Sequence, residues 1–440
     1  MGGKKSVVLL LTLAYTLNSA DRTLIAILGS ALKSDLKLSD AQLGWLIGPA
    51  FATLYAFSGL IIARLAERHN RVAIISIALT VWSALTALCG LATNLSQLLL
   101  LRMAVGVGEA GCTPPAHSLI SDYVAPAHRS TALSIYSCGI SLGYILSALV
   151  GGYVTMHYGW RTACVVIGLP GTVVALLIRA FIKEPTRGNA DARPAPVAPA
   201  SAARPWFSVE LAEMSAVAQL LFRRRPLAHM LFGLILASFA AQGSYAFTPA
   251  YFARAFDLDY TTVGIVSALT GGVTVGLGLA AGGLVTDLLG KRGAGWYALI
   301  PALGLVTALP LYIAAFLQAD WRLSAFFLGA AGFFQYLSFG PTFGVVHNAV
   351  DSRRRATATA IIYVLLTVIC LGCGPPFTGW LIDRLGESPF IGSLMSQHGG
   401  STLALATRTG IILTVLLYAW AAAHYLAGAA GLRARAIALV

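Results

Sequence analysis

The chain has 440 residues, 57% of them hydrophobic and 11% charged, with a mean hydropathy of +0.77. A soluble protein of this length carries about 25% charged residues, so the composition points to a polytopic membrane protein with an all-α fold. The formal net charge of +13 would raise nucleic acid as the partner of a soluble domain, but no basic stretch is interleaved with exposed aromatics and no nucleic-acid partner is expected.

Met1 to Lys5 form a short basic tail that runs straight into an apolar stretch with no small-residue cleavage site before Asp21, so the first helix is read as retained. At roughly 20 apolar residues per crossing, twelve spans begin near Val7, Ala41, Val72, Ser96, Ser130, Thr162, Leu227, Thr261, Gly295, Leu323, Thr357 and Thr407. Short connectors join nearly all of them. The exception is the linker 183–226, whose Pro/Ala-rich centre (193–205) cannot bury a core and which divides the chain into six-helix halves, 1–182 and 227–440. Inside it, Phe207, Leu211, Met214, Val217, Leu220 and Leu221 recur at helical spacing before Arg223-Arg-Arg225, as in an interfacial helix; a solvated linker with a basic end is the alternative.

In the first span Asn18, Asp21, Arg22 and Ile25 share a face, and counting from Val7 sets Asp21 and Arg22 near mid-bilayer. In the fourth, Arg102 and Glu109 lie seven residues apart, two helical turns, and point the same way. Charge at this depth costs several kcal/mol, about 2.5–3.5 on insertion scales, and marks a functional site. An acid beside a cation in an apolar cavity suits a proton carrier, because burial and the cation pull its protonation in opposite directions. Glu109 is the first choice and Asp21 the second. The competing reading is a static ion network between the first and fourth helices. Arg22, with a planar fork suited to carboxylate or phosphate, is the candidate headgroup anchor. Asn18 shares its face, and Arg102 is a second anchor, an outer gate charge or a snorkelling side chain. Gly106-x-Gly108-x-x-Gly111 matches a dinucleotide fingerprint, but no strand precedes it, so its glycines read as close helix contacts. From the second half, Gln242, Tyr245, Gln335 and Tyr336 are expected to face the cavity.

All six cysteines lie within predicted spans, and Cys370-x-x-Cys373 reads as packing rather than redox chemistry. No metal and no cofactor are expected. Of the thirty Lys and Arg residues, twenty fall on the side of the amino terminus, seven on the other (Lys33, Lys37, Arg161, Arg254, Arg322, Arg384, Arg408), and Arg22, Arg102 and Arg179 within spans. The positive-inside rule then puts both termini in the cytoplasm. The halves also repeat: Ala63-Arg-Leu-Ala-Glu67-Arg68-His-Asn-Arg71 after the second span parallels Gly283-Leu-Val-Thr-Asp287-Leu-Leu-Gly290-Lys291-Arg292 after the eighth, and Arg129-Ser-Thr-Ala parallels Arg355-Ala-Thr-Ala. Two such halves related by an axis along the membrane normal is the plan of many secondary transporters.

These paired loops resemble the signature of the major facilitator superfamily, and the resemblance covers essentially the whole chain. Asp21-Arg22, Asp40-Ala-Gln-Leu-Gly44, the Ala63 to Arg71 loop, Gly106-Val-Gly-Glu-Ala-Gly-Cys-Thr-Pro-Pro-Ala-His-Ser-Leu-Ile-Ser-Asp122 and Gly159-Trp160-Arg161 together resemble bacterial members of its spinster branch. The loop departs from the superfamily pattern by Ala63 for glycine and Glu67 for aspartate, and the fifth span lacks the proline of the antiporter motif.

The resemblance implies a proton-coupled, alternating-access transporter of an amphipathic anionic lipid, such as a lysophospholipid or sphingosine phosphate. It would sit as a monomer among the membrane lipids of a bacterial inner membrane. It also implies a cytoplasmic gate in which Glu67 and Asp287 meet helix amino ends of the opposite half, with Arg68, Arg71, Lys291, Arg292, Arg129 and Arg355 around them; plain solvated loop charge is the alternative. The anion-cation symporters of the same superfamily are similar in carrying Asp-Arg in the first span and Arg with Glu in the fourth, which keeps small organic anions such as sugar acids as the rival substrate. A membrane enzyme is disfavoured because no Ser/His/Asp or metal-ligand cluster shares a depth, a non-transporting receptor because no soluble domain is added, and a primary pump because no Gly-x-x-x-x-Gly-Lys-Ser/Thr motif is present.

Overall fold

A computed structural model describes residues 4–125, 128–186, 206–350, 355–389 and 401–437. In chain order its helices are α1 (Lys4–Ile27), α2 (Gly29–Leu36), α3 (Asp40–Ile47), α4 (Pro49–Arg68), α5 (Arg71–Cys89), α6 (Leu95–Glu109), α7 (Thr113–Tyr123), α8 (Arg129–Ser137), α9 (Gly139–Gly168) and α10 (Pro170–Phe181). There follow α11 (Trp206–Arg223), α12 (Arg225–Phe256), α13 (Tyr260–Ser267), α14 (Thr274–Gly290), α15 (Trp296–Leu317), α16 (Trp321–Tyr336), α17 (Phe339–Ala349), α18 (Arg355–Leu365), α19 (Gly372–Gly386), α20 (Thr402–Val415) and α21 (Leu417–Ile437). Single π-helical turns, Ala268–Val273 and Leu366–Leu371, precede α14 and α19.

Nine helical stretches among the described residues are long and apolar enough to cross a membrane. The longest, Ile135–Phe181, has 47 residues, about 70 Å at 1.5 Å per residue and so two crossings. They part at Gly159, whose φ of 82° and ψ of 161° interrupt α9 in a conformation that L side chains avoid. With α1 (24 residues) and α4 (20 residues), which also reach across a hydrocarbon core of about 30 Å, the described residues provide the twelve passes expected. Large apolar side chains such as Phe57, Leu91, Leu176, Leu284 and Phe326 are about two-thirds exposed or more. A soluble protein would cover them, whereas lipid solvates them.

The chain forms two compact units. The first comprises Met1–Pro196, Tyr245–Gly272 and Pro375–Thr407; the second comprises Val197–Ser244, Val273–Gly374 and Arg408–Val440. In the first, α1 lies against α9, and small residues set how closely. A Cβ on Gly143 would stand 2.3 Å from Thr16 O, and one on Gly139 3.1 Å from Thr12 O; these glycines are spaced by four and form one face of α9. Gly106, Gly108 and Gly111 act in the same way at α6. Cβ atoms there would meet Phe51 O at 2.7 Å, Trp82 Cβ at 2.8 Å and Ala78 Cβ at 2.6 Å, which confirms close helix contact rather than nucleotide binding.

In the second unit α15 packs on α16 and α21, tied by Tyr312 Oη donating to Gln335 Oε1 at 2.6 Å and by a 2.8 Å hydrogen bond between Thr342 and Tyr425 hydroxyls. The expected helix in the linker is present as α11, with Val217 and Leu221 buried. The proline-rich centre of the linker, residues 193–205, lies outside the described residues.

Candidate functional site

The charges singled out in the first and fourth spans meet in the first unit. Asp21 and Arg22 are adjacent on α1, about 100° apart around the helix, and each finds its opposite charge on α6. Arg102 Nη1 donates to Asp21 Oδ1 at 3.4 Å, and Thr86 of α5 donates its hydroxyl to Asp21 Oδ2. Arg22 donates through Nη2 at 3.0 Å and Nε at 3.3 Å to one oxygen of Glu109, Oε2, and through Nη2 to Asn18 Oδ1 at 3.2 Å. The four charges thus form two crossed pairs between the same two helices.

Their surroundings are apolar and aromatic. Asp21, Arg102 and Glu109 are essentially inaccessible, and Arg22 is the one member with open access, its side chain 28% exposed. Phe51 and Tyr55 of α4 wall the site. The Arg22 guanidinium carbon lies 4.9 Å and 4.7 Å from their ring centres, and that of Arg102 lies 5.3 Å from Phe51, distances at which ring faces attract cations. Gly106 is what lets α6 approach α4 closely enough to bring Phe51 over both arginines. Arg102 is therefore a buried ion-pair member and not a snorkelling side chain.

The hydrogen-bond inventory of this cluster is incomplete. Glu109 Oε1, Asn18 Nδ2, and Nε and Nη2 of Arg102 are buried with no protein partner. Burying such groups unpaired is costly, roughly 1–3 kcal/mol each. A carboxylate with one committed and one open oxygen can take up a proton without first breaking its ion pair.

The other anticipated residues are placed as follows. Gln335 is buried and engaged by Tyr312 within the second unit. Gln242, Tyr245 and Tyr336 are half-buried on α12 and α16. Of the anticipated gate, Arg68, Lys291 and Arg292 are exposed, while the side chains of Glu67, Asp287, Arg129 and Arg355 lie outside the described residues. Arg71 is consumed inside the first unit. It is 1% exposed, donates Nη1 to Asp122 and Ser118 at 2.6 Å each, and donates Nε to Glu184 Oε1 at 2.7 Å. The same Glu184 accepts the backbone N–H groups of Arg71 and Val72 and so caps the start of α5.

A second cluster, whose pairings no local sequence pattern reveals, surrounds Asp40, a fully buried carboxylate bound by Arg254 and Lys33. The available signal was the Asp40-Ala-Gln-Leu-Gly44 motif, together with Lys33 and Arg254 on the sparsely charged side of the tally.

Comparison with known proteins follows the same lines. Residues 11–372 match the model of the Major Facilitator Superfamily. The chain is 30% identical over 415 residues to an MFS-type efflux pump of Mycolicibacterium smegmatis, covering 94% of this chain and 92% of that one. It is 26% identical over 408 residues to a hexuronate transporter of Bacillus subtilis, covering 91% and 93%. Among solved structures, a bacterial homolog to the human lysosomal transporter Spinster, in an inward-facing and unoccupied conformation, is similar with a TM-score of 0.84 and 30% identity over 98% of this chain and 97% of that one.

Proposed function

Since this chain belongs to the Major Facilitator Superfamily, of multi-pass membrane transporters for small molecules, we propose that it is a proton-coupled, alternating-access transporter of an amphipathic anionic lipid, such as a lysophospholipid or sphingosine phosphate. It works as a monomer of two six-helix halves, 1–182 and 227–440, with both termini on the cytoplasmic side of a bacterial inner membrane. The observation that carries the reading is the Arg22–Glu109 pair, in which the arginine fork is accessible while its carboxylate partner keeps one buried oxygen open. Arg22 takes the anionic headgroup, Phe51 and Tyr55 give an apolar flank, and Glu109 takes up the proton when the headgroup displaces it from the guanidinium. Asp21, held by Arg102 and Thr86, is the second proton site. The resemblance of the sequence motifs to the spinster branch supports a lipid, and likeness to an efflux pump supports export.

Likeness to the hexuronate transporter favours a second reading, symport of a small organic anion at the same arginines. Purified protein in proteoliposomes, screened with labelled lysolipids and hexuronates under an imposed pH gradient, separates the two. Lysolipid movement that depends on the gradient is expected. Movement of hexuronate alone would transfer the assignment to the second reading.

A further inference from the structure

The Asp40 cluster lies in the first unit and shares no residue with the crossed pairs. Arg254 donates Nη2 to Asp40 Oδ1 at 2.6 Å and Nη1 to Oδ2 at 3.2 Å, and Lys33, seven residues before Asp40, also pairs with Oδ2. Arg254 Nη1 reaches Thr407 Oγ1 as well, at 2.8 Å. The backbone N–H groups of Asp40 and Ala41, at the start of α3, donate to the two carboxylate oxygens of Asp383 at 2.9 and 2.8 Å. Backbones touch here too: a Cβ on Gly379 would stand 2.2 Å from Asp40 O, and one on Gly44 2.6 Å from Pro375 O. A cavity of about 770 Å³ opens beside the cluster and is lined by Lys33, Lys37, Arg254, Asp257, Asp259 and Tyr260.

The partners of Asp40 differ in origin. Arg254, Thr407 and Asp383 come from beyond the linker, whereas Lys33 belongs to the same stretch of chain as Asp40. On the alternating-access reading, the end of the molecule opposite the termini, where Lys33 and Arg254 fall, opens only when Arg254 and Asp383 part from α3. A carboxylate stripped of its cation is costly in proportion to the burial it keeps, and on opening Asp40 is left with only the cations of its own stretch of chain. Asp40 has a second cation on hand, on a flexible stem, whose side chain is 22% exposed and faces the cavity. We infer that Lys33 is a stand-in cation: Arg254 closes this end, and Lys33 keeps Asp40 paired once Arg254 withdraws, so that two cations on one carboxylate act in opposite directions on opening.

The inference rests on the alternating-access reading but on neither the substrate nor the proton. Spin labels at Tyr158→Cys and Ser388→Cys in the cysteine-free protein, reconstituted in nanodiscs, report the separation at this end. Arg254→Gln raises the long-distance fraction. Lys33→Gln lowers it below wild type by roughly tenfold or more, since opening then orphans Asp40, and adding Asp40→Asn restores it. A rise in Lys33→Gln, or no change, makes Lys33 an ordinary bond of the closed state and overturns the inference. Thermal unfolding gives an independent check: Lys33→Gln costs more in the Arg254→Gln background than in wild type, and Asp40→Asn removes the excess. Additive losses overturn it. If no variant, Arg254→Gln included, shows a second distance while transport proceeds, alternating access at this end fails and the inference with it.

Discussion

Replacing Glu109 by glutamine separates the cost of an ion pair from the loss of a proton carrier. Arg22 makes two hydrogen bonds to Glu109 Oε2, at 3.0 and 3.3 Å, and one to Asn18. The glutamine amide retains an oxygen acceptor in the same place, so what disappears is the charge assistance. A hydrogen bond to a charged group contributes about 1.5–3 kcal/mol and a neutral one about 0.5–1.5, a difference of about 1–1.5 kcal/mol. The upper bound is about 3–5 kcal/mol for orphaning a fully buried charge. Arg22 escapes it because its side chain is 28% exposed and keeps Asn18. Over the two bonds the expected stability loss is therefore about 2–3 kcal/mol, which the fold of a large membrane protein tolerates. Accumulation driven by a pH gradient, in contrast, disappears outright, while substrate exchange at equal pH persists, because the amide keeps the shape and cannot carry the proton. Proteoliposome uptake with and without the gradient, alongside thermal unfolding in detergent, measures both. Full gradient-driven uptake by a folded Glu109→Gln protein would refute the assignment and move the carrier to Asp21 or elsewhere.

Arg22→Lys retains charge and fold but loses the fork, so lysolipid affinity should fall by about 10- to 100-fold, equivalent to one charge-assisted contact, in a binding titration; unchanged affinity would end the headgroup role. Arg71→Met is expected to cost about 3–5 kcal/mol, because it leaves Asp122 and Glu184 without their buried cation, and thermal unfolding should show the loss without any change in proton dependence. Hydrogen bonds from Arg161 and Trp160 hold the Asp35 carboxyl below the usual carboxylate range. Its contribution is thus fully present above the unfolded-state pKa of about 4 and lost as pH falls through the lowered folded-state value. The stability gap between wild type and Asp35→Asn should accordingly be constant near neutrality and close only in strong acid; a gap that closes near pH 6 would exclude Asp35 as its source. Single cysteines at Ser201 and Ser388 in a cysteine-free background should label from opposite sides of the membrane, and same-sided labelling would overturn the proposed topology.

The residues that the sequence declared most openly were those that break an apolar pattern. Asp21, Arg22, Arg102 and Glu109 stand out in runs of leucine and alanine, and the structure brings all four together because charges at that depth must find one another. The glycines of α6 and α9 were similarly visible, since a residue without a side chain inside a span has few uses other than close packing. Pairings that cross the chain were not visible. Asp40 meets Arg254 and Asp383 more than two hundred residues on, and nothing in a local pattern selects those two from the other charges of the loops. Arg71 is a related case. The loop motif groups Arg71 with the charges of a gate, and no local pattern shows that it is fully buried with two acids of its own. The break at Gly159 also lay beyond composition, which registers where a span begins but not that two crossings continue as one bent helix.

The crossed pairs have one more consequence, which concerns the membrane voltage. Two acids and two arginines sum to zero in formal charge, so the empty site is neutral. A monoanionic guest alone would make it negative, and a proton alone would make it positive. Each uncompensated charge carried across the full field is worth about 2.3 kcal/mol per 100 mV. Only when anion and proton are aboard together does the quartet regain neutrality, and in that state the passage is indifferent to the voltage.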